Sequence, residues 1–399
     1  MEKLTRRAAL GALATAGAGL LAACGASAPA APAAPAKPAA GTAAPSAGSA
    51  SSAPSASGGA AARWDQVVRD AKREGTVALI GPVTQGIRVS LTEGFNRAYP
   101  DIAVEYTPAV LASLVPQLRA ELDRGKLSYD LVVSGSANLL ENKDLFEPIP
   151  PLLLTDDARD ESKWQSSKGP GFKWDDQERQ LVLQMSEWVS GYILINTRQV
   201  APGAITTWQD LLKPEYKGKI AAHDPRGAGA GQAVASYLVY KLGEPFVLEL
   251  YKGQEVAFTR DYAQIGDWIA SGRYVAGIGQ TSDRIEALRK ENAPLSAYSL
   301  SDAPGQLSGG FSVVGMFRAD KEPHPNAGIV FLNWLLSKDG QYALNYPQLQ
   351  PSLRQDVPRD YVPDYIVPKP GVEYVDTYGE DFVPIRQHTG QRVAAIVGR

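Results

Sequence analysis

The chain has 399 residues, of which 44% are hydrophobic and 21% are charged. Because a single hydrophobic core stops growing near ~250–300 residues, this length predicts about two domains. The 40 basic and 43 acidic side chains give a formal charge of −3, which does not favour a nucleic-acid partner. One cysteine excludes an intramolecular disulfide and a cysteine-built metal site, and the three histidines form no metal-binding motif. We therefore predict no metal and no cofactor.

The first 24 residues have the pattern of an export signal. Paired arginines precede an apolar run, Ala8–Ala23, which is shorter and less hydrophobic than a membrane-spanning helix. The segment Leu21–Cys24 resembles the lipobox of bacterial lipoproteins, which predicts a signal peptide over residues 1–23 and a lipid on Cys24. The alternative is an inert cysteine after an ordinary signal peptide. Thr5–Leu10 also resembles a twin-arginine signal, so the export route stays open.

The segment that follows is of low complexity. Apart from Lys37, residues 25–62 contain only Ala, Gly, Pro, Ser and Thr. Such a composition offers almost no bulky apolar side chain to bury, so it cannot offset its ordering entropy. We predict that residues 24–62 are a lipidated cysteine followed by a disordered tether.

Helical and strand patterns alternate from Trp64 onward. The predicted helices of the first half are Trp64–Glu74, Gly86–Tyr99 and Leu111–Arg124, and the predicted strands are Thr76–Ile80, Ile102–Tyr106, Asp130–Val133, Leu181–Gln184 and Tyr192–Asn196. The predicted helices of the second half are Trp208–Leu212, Gly231–Leu242, Tyr262–Ser271, Thr281–Glu291, Ala327–Leu336 and Gly340–Tyr346, with strands Lys219–Ala222, Tyr274–Ile278 and Phe311–Phe317. This alternation predicts an α/β fold with two lobes, each a mostly parallel sheet flanked by helices.

Several motifs in register resemble one family. Trp208–Ile220, followed by Asp224-Pro225, resembles the signature of extracellular solute-binding proteins of ABC importers, in particular the group that includes ferric-ion-binding members. Gly94–Pro100, Tyr129–Ser134 and His324–Gln341 match other parts of the same family in the expected order. The resemblance covers nearly all of residues 64–355.

The resemblance implies a type II periplasmic binding protein with two lobes joined by two crossover strands. It assigns residues 63–190 and 305–399 to lobe 1 and residues 191–304 to lobe 2, with Tyr192–Asn196 as the strand that leads into lobe 2. The implied function is capture of a small solute between the lobes and delivery to an ABC permease. The implied protein is a monomer, exported and anchored at the outer face of the cytoplasmic membrane.

The resemblance also locates the positions that hold ferric iron in the relatives. These positions carry Thr84, Gly135 and Gln280-Thr281 in this chain. None of these residues is the anionic oxygen ligand that ferric iron prefers. We therefore expect little ferric affinity, and a ferric receptor with other ligands remains the alternative within the family.

Small and hydroxylated residues stand where four strands lead into helices. We call these the first turn (residues 81–86), the second turn (134–138), the third turn (226–232) and the fourth turn (279–282). Helix N-termini with small residues are anion sites, because their N–H groups point outward and the helix dipole favours negative charge. The alternative is that each Ser or Thr only caps its helix, and that the arginine of the third turn is a solvated surface residue. The predicted solute contacts are Thr84, Gln85, Ser134, Ser136, Arg226, Gly229, Gln280 and Thr281, with a small anion as solute.

An enzyme of similar architecture is the alternative from another class. A secreted serine hydrolase needs a histidine base and a nucleophile elbow, but the closest sequence, Ser134-Gly135-Ser136, lacks the flanking glycines of G-x-S-x-G. We therefore predict no catalytic residues. A receptor that signals to a membrane sensor, in place of a permease, also stays open.

The anchor assignment is tested by Cys24→Ser. Without the thiol no lipid can be attached, so we expect the variant to leave the membrane fraction while keeping its thermal unfolding temperature. Fractionation of cells followed by immunoblotting measures this. A variant that still sediments with membranes contradicts the lipobox assignment.

Overall fold

A computed structural model describes residues 56–227 and 229–398. The predicted signal peptide, the predicted lipidation site Cys24 and residues 25–55 of the predicted tether lie outside these described residues. No helix in the described part of the chain is long and apolar enough to cross a membrane.

The helices mostly coincide with the periodic segments of the sequence. The first one begins at Ala56 and not at Trp64, so residues 56–62 are helical although they were assigned to the tether; alanine favours the helix there. Pro116 lies inside the third helix. The α-helices are α1 (Ala56–Glu74), α2 (Gln85–Ala98), α3 (Leu111–Asp123), α4 (Ser136–Leu140), α5 (Asp156–Arg159), α6 (Ala230–Leu242), α7 (Glu244–Leu248), α8 (Tyr262–Ala270), α9 (Ser282–Lys290), α10 (Pro325–Leu335), α11 (Lys338–Asn345) and α12 (Val383–Val397).

The strands are short, and many of them have only two or three residues. They are β1 (Thr76–Gly81), β2 (Ala103–Pro108), β3 (Leu131–Ser134), β4 (Phe146–Glu147), β5 (Gln165–Ser166), β6 (Gly169–Pro170), β7 (Lys173–Trp174), β8 (Leu183–Gln184), β9 (Trp188–Ser190), β10 (Ile193–Asn196), β11 (Ile220–His223), β12 (Ala257–Thr259), β13 (Ala276–Ile278), β14 (Leu295–Tyr298), β15 (Gln306–Ser308), β16 (Val313–Phe317) and β17 (Val375–Asp376). Short 3-10 turns include Trp208–Leu212, Tyr346–Gln348, Asp364–Ile366 and Glu380–Phe382.

Lobe 1 is built on a sheet of order β2-β1-β3-β16-β8-β7, with β4 also paired to β16. The first three strands run parallel, as the βαβ pattern predicts, and β16 joins them antiparallel. Helices α1, α2, α10 and α11 pack on this sheet, and their core contains a cluster of Phe95, Phe331 and Trp334. The α10 and α11 segments therefore belong to lobe 1, as the sequence predicts.

Lobe 2 is built on a sheet of order β12-β11-β13-β10-β14. Strand β11 is parallel to both of its neighbours, and β10 is antiparallel to both of its own. The segment Tyr192–Asn196, which the sequence assigned to the hinge, therefore lies inside the lobe 2 sheet as β10. Its uninterrupted burial fits a central strand, because both faces of that strand are covered by helices or loops.

The lobes are joined by β9 and β15, which pair antiparallel. Strand β17 pairs in parallel with β15, so a three-stranded sheet, which we call the hinge sheet, stands between the lobes. The sequence placed all of residues 305–399 in lobe 1. The structure differs at the end of the chain, because α12 packs against α6 and α7 of lobe 2.

The aromatic cluster of lobe 1 gives a stability prediction. Phe95 is fully buried, and its ring centroid lies 4.9 Å from that of Phe331 and 5.4 Å from that of Trp334. We expect Phe95→Ala to lower the free energy of unfolding by about 3–5 kcal/mol through lost burial and a cavity. Urea denaturation measures this. Val89→Ala, at an exposed position of the same helix, is the control and should change stability by less than about 0.5 kcal/mol.

Candidate functional site

The first turn links β1 to α2. Thr84 has an extended backbone and immediately precedes the helix, but its side chain makes no capping hydrogen bond. Gln85 is exposed. The hydroxyl of Tyr106 donates to the carbonyl of Pro82 over 2.7 Å, which holds the turn against β2. The capping explanation therefore does not account for Thr84.

The second turn links β3 to α4. Ser134 is buried at the end of the strand, and Ser136 is fully buried at the first position of the helix. The Ser136 hydroxyl donates to the backbone carbonyl of Tyr378 over 2.9 Å. A residue from the far end of the chain therefore covers the predicted solute contact.

The third turn carries the predicted arginine. Arg226 does not stand free, because it donates through Nε and Nη2 to the two carboxylate oxygens of Asp224, over 2.8 and 3.1 Å. Nε of Arg260 donates to the same carboxylate over 3.2 Å. The hydrogen bonds from Arg226 lower the pKa of Asp224 to about 2, against the opposing effect of burial. The guanidinium of Arg226, which we predicted to contact the solute, thus already binds a neighbouring carboxylate.

The glycine at position 229 of the same turn is explained by its backbone conformation and by the side chains around it. Gly229 has a φ of +139°, and a Cβ there would lie 2.8 Å from the hydroxyl of Tyr262. The Tyr262 ring stacks on the ring of His223 with centroids 4.2 Å apart. Burial lowers the pKa of His223, so its Nδ1 is available to accept a hydrogen bond from the backbone N–H of Gly231 over 3.2 Å. The start of α6 is therefore shaped by two aromatic side chains.

The fourth turn links β13 to α9. Gln280 is buried, and neither its Oε1 nor its Nε2 has a hydrogen-bond partner among the described residues. Its backbone carbonyl accepts from the hydroxyl of Tyr192 over 3.2 Å. Thr281 precedes the helix and makes no side-chain capping bond, whereas Ser282 donates to the carbonyl of Gln348 over 3.2 Å. This last bond crosses from lobe 2 to lobe 1.

The turns meet in two groups. A Cβ on Gly86 of the first turn would lie 3.3 Å from Pro347, and Ser282 of the fourth turn bonds to Gln348, so both turns contact the 3-10 turn Tyr346–Gln348. The third and fourth turns are neighbours within lobe 2, because a Cβ on Gly279 would lie 3.7 Å from the backbone nitrogen of Gly231. The second turn contacts the C-terminal segment instead. The first, third and fourth turns are thus linked through neighbouring residues, whereas the second turn lies against the C-terminal segment.

A buried charged network lies beside Ser136. Lys173 is fully buried and contacts Glu187 at 2.6 Å and Asp376 at 3.4 Å. Asp175 is buried next to this network, and neither of its carboxylate oxygens has a hydrogen-bond partner within the described residues. Burial raises the pKa of Asp175 to about 7, although the positive charge of Lys173 opposes this shift.

Several of these residues carry no signal in the sequence that marks them as part of a site. Asp224 was visible only as part of a family motif, and its role as partner of two arginines depends on the β11–β12 pairing. His223 and Tyr262 carry no sequence signal of stacking. Tyr378 and Asp175 come from segments without a periodic pattern, and only their three-dimensional position brings them to the cleft.

The positions that the resemblance assigned to ferric iron carry no anionic side chain. Thr84, Gly135 and Thr281 each precede a helix and offer no anionic side chain. Within residues 56–227 and 229–398, no group of three or more His, Cys, Asp or Glu side chains is placed to hold a metal ion.

The buried Asp175 predicts a pH dependence of stability. Its pKa is higher in the folded chain than in the unfolded one, so its contribution is fully present below about pH 4 and is lost as the pH rises through about 7. Relative to the wild type, Asp175→Asn should therefore become progressively more stable between pH 5 and pH 8, by about 1.4 kcal/mol for each unit of pKa difference. Thermal unfolding across this range measures it, with the exposed Asp123→Asn on α3 as the control. An unchanged difference between Asp175→Asn and wild type across the range contradicts the assignment.

Several solved structures have an architecture similar to that of this chain. The chain has a TM-score of 0.62 with the periplasmic binding protein AfuA from Actinobacillus pleuropneumoniae, solved with fructose-6-phosphate, at 17% identity over 81% of this chain and 98% of that one. It has a TM-score of 0.57 with iron-bound HitA from Pseudomonas aeruginosa, at 14% identity over 80% and 99%. It has a TM-score of 0.63 with an ABC-transporter substrate-binding protein from Agrobacterium tumefaciens, at 16% identity over 81% and 94%. At these identities the likeness concerns the fold.

Part of the chain is similar in sequence to known proteins. Residues 177–345 match the model for bacterial extracellular solute-binding proteins. An uncharacterized protein of Haemophilus influenzae is 31% identical over 157 residues, which are 37% of this chain and 43% of that protein, so the match spans less than half of the relative's length. Residues 177–345 are therefore similar to the bacterial extracellular solute-binding proteins, and the described chain has the two-lobed fold of periplasmic binding proteins.

Proposed function

We propose that the protein is the receptor of an ABC importer, which captures a small anionic solute between its lobes and delivers it to a membrane permease. The two lobes and the two crossover strands β9 and β15 support this, because such a geometry allows hinge closure around a ligand. The family match covers most of lobe 2, where two of the four turns lie. The protein binds and releases the solute without chemical change and acts as a monomer, held at the membrane through Cys24.

The observation that carries the anionic assignment is the absence of side-chain caps at the cleft. Thr84 and Thr281 stand at the N-cap positions of α2 and α9, but neither side chain caps its helix. Elsewhere in the same chain Thr155 and Thr207 do cap their helices. Two helices of 14 and 9 residues thus direct uncapped N-termini toward the cleft. Uncapped N–H groups and the helix dipole both favour a ligand with negative oxygens.

The rim of lobe 2 adds positive charge. Arg226 and Arg260 share the single carboxylate of Asp224, so the cluster carries one more positive than negative charge. The guanidinium of Arg226 is oriented by the carboxylate and also lies 5.8 Å from the ring centroid of Phe258. In this role Arg226 attracts the solute electrostatically at the edge of the cleft and does not bind it as a desolvated side chain.

The solute class is tested first by a thermal-shift screen over organic acids, phosphate esters, sugars, amines and ferric citrate. A true solute raises the melting temperature through linkage, by about 2.7 kcal/mol of stability at a hundred times its dissociation constant. We expect organic acids or phosphate esters to give the largest shifts. Stabilisation by neutral sugars or amines alone contradicts the anionic assignment and leaves the receptor function standing.

The rim charge is tested by Arg226→Ala with calorimetry on the anion that the screen selects. The side chain is 36% exposed and Arg260 remains beside Asp224, so we expect a loss of about tenfold in affinity, or ~1.4 kcal/mol, and not the larger loss of a desolvated clamp. Arg273→Ala, which removes an arginine stacked on Trp268 of the same lobe, is the matched control. Equal affinities of both variants and the wild type contradict the role of Arg226.

A further inference from the structure

The end of the chain runs through the hinge and contacts both lobes. We call residues 375–397 the C-terminal strap; it consists of β17, the segment 377–382 and α12. Strand β17 pairs in parallel with the crossover strand β15, so the strap forms the third strand of the hinge sheet. Any rotation of the lobes about β9 and β15 therefore displaces or bends the strap.

Three contacts attach the strap to lobe 1 beside the second turn. The Tyr378 carbonyl accepts the hydroxyl hydrogen of Ser136 over 2.9 Å, and the backbone N–H of Glu380 donates to the carbonyl of Asp175 over 2.8 Å. The carboxylate of Glu380 pairs with Lys143 at 2.6 Å. As a result Ser136 is fully buried.

Other contacts attach the strap to lobe 2. The ring centroid of Phe382 lies 5.3 Å from that of Tyr240 on α6. Arg392 of α12 pairs with Glu244 at the start of α7 over 2.6 Å. Helix α12 packs along α6, the helix that begins at the third turn. One continuous segment thus contacts lobe 1 beside the second turn and lobe 2 along α6 and α7.

Two buried hydrogen bonds hold the strap in this position. The hydroxyl of Thr377 donates to Oε1 of Gln306 in β15 over 2.6 Å, and Nη1 of Arg386 donates to the carbonyl of Thr377 over 2.7 Å. Thr377 is buried. These bonds lie in the hinge sheet and in α12, outside the four turns, so they can be altered without changing the predicted solute contacts.

A second bond of the same kind closes the other side of the cleft. Ser282, at the first position of α9, donates to the backbone carbonyl of Gln348. The hydroxyls at the start of α4 and α9 are therefore both taken by backbone carbonyls from the last fifth of the chain. In each case a carbonyl oxygen stands where an oxygen of a solute would accept.

We propose that the C-terminal strap is an internal competitor of the solute, which holds the empty lobes together until an external oxygen acceptor displaces the Tyr378 carbonyl from Ser136. This regulation rests on the proposed function, because it concerns the same cleft. Affinity for the solute is then reduced by the fraction of molecules in which the strap has released Ser136. Loosening the strap away from the cleft must strengthen binding.

The test uses the full chain with two strap variants and one matched control. Thr377→Val keeps the shape of a β-branched side chain and removes the hydrogen bond to Gln306. Arg386→Met removes the bond to the Thr377 carbonyl. Thr389→Val is the control, because Thr389 is also buried in the strap but donates only to carbonyls of its own helix, those of Ile385 and Arg386. Backbone hydrogen exchange of residues 376–382 and of the first turn of α9 is followed by mass spectrometry, and inorganic phosphate serves as the anion probe in calorimetry.

The two strap variants should exchange faster than wild type in both segments and bind phosphate about twofold to tenfold more tightly, the range expected when one hydrogen bond is lost. The control should match the wild type in both measurements. Faster exchange confined to residues 376–382, or weaker phosphate binding by variants that remain folded, overturns the competitor role. If phosphate binds to neither the wild type nor the strap variants, so that loosening the strap uncovers no anion site, the competitor role is overturned, whereas the anionic solute of the proposed function is still decided by the thermal-shift screen.

Discussion

The pairing of β17 with β15 is the constraint on which the arrangement of the two lobes depends. Two crossover strands alone leave the lobes free to rotate about a narrow connection. A third strand, followed at once by contacts to lobe 1 and then by a helix on lobe 2, makes the angle between the lobes depend on one segment of chain. This segment, the crossover strands and the Ser282–Gln348 bond together connect the lobes, so the geometry of the candidate site depends on the hinge as much as on the lobes.

The parts of the fold that the sequence predicts are those in which local pattern and final environment agree. Helices α2 and α6 have apolar residues at helical spacing that face their own lobe, and strand β3 is a short apolar run buried at every residue, as a central strand is. The hinge strands β9 and β15 have three residues each, too few for a periodic signal. They form strands because the two lobes bring them together, and no local preference records this.

The site was predicted in part for the same reason. The four turns follow from strand–helix alternation, so Thr84, Ser136, Gly229 and Thr281 were found at helix starts as expected. The partners of those residues come from positions that are distant in sequence. Ser136 meets Tyr378 across 242 residues, and no pattern in a single sequence indicates that contact. Arg226 is two residues from Asp224, yet their pairing depends on how the turn bends after β11.

Unpartnered polar groups concentrate along the hinge. Trp188 Nε1, Ser190 Oγ and Gln306 Nε2 belong to the crossover strands, and Asp175 flanks them; all have buried atoms without a hydrogen-bond partner in the described part of the chain. A buried donor or acceptor without a partner costs about 1–3 kcal/mol, so the protein keeps such groups where another arrangement satisfies them. Water at the hinge, or a different angle between the lobes, would satisfy these groups.

The charge of the solute and the competition by the strap are linked through hydrogen-bond strength. Ser136 and Ser282 donate in this structure to neutral carbonyl oxygens. An ionised oxygen accepts a hydrogen bond roughly twice as strong as a neutral one, and it also gains from the dipoles of α2 and α9. A neutral hydroxyl would only exchange one bond for an equivalent one and would leave the entropy of binding uncompensated. In the proposed mechanism the strap would set a threshold at Ser136 that an anion passes and a neutral analogue of the same shape does not, so selectivity would come from the competitor as well as from the contacts.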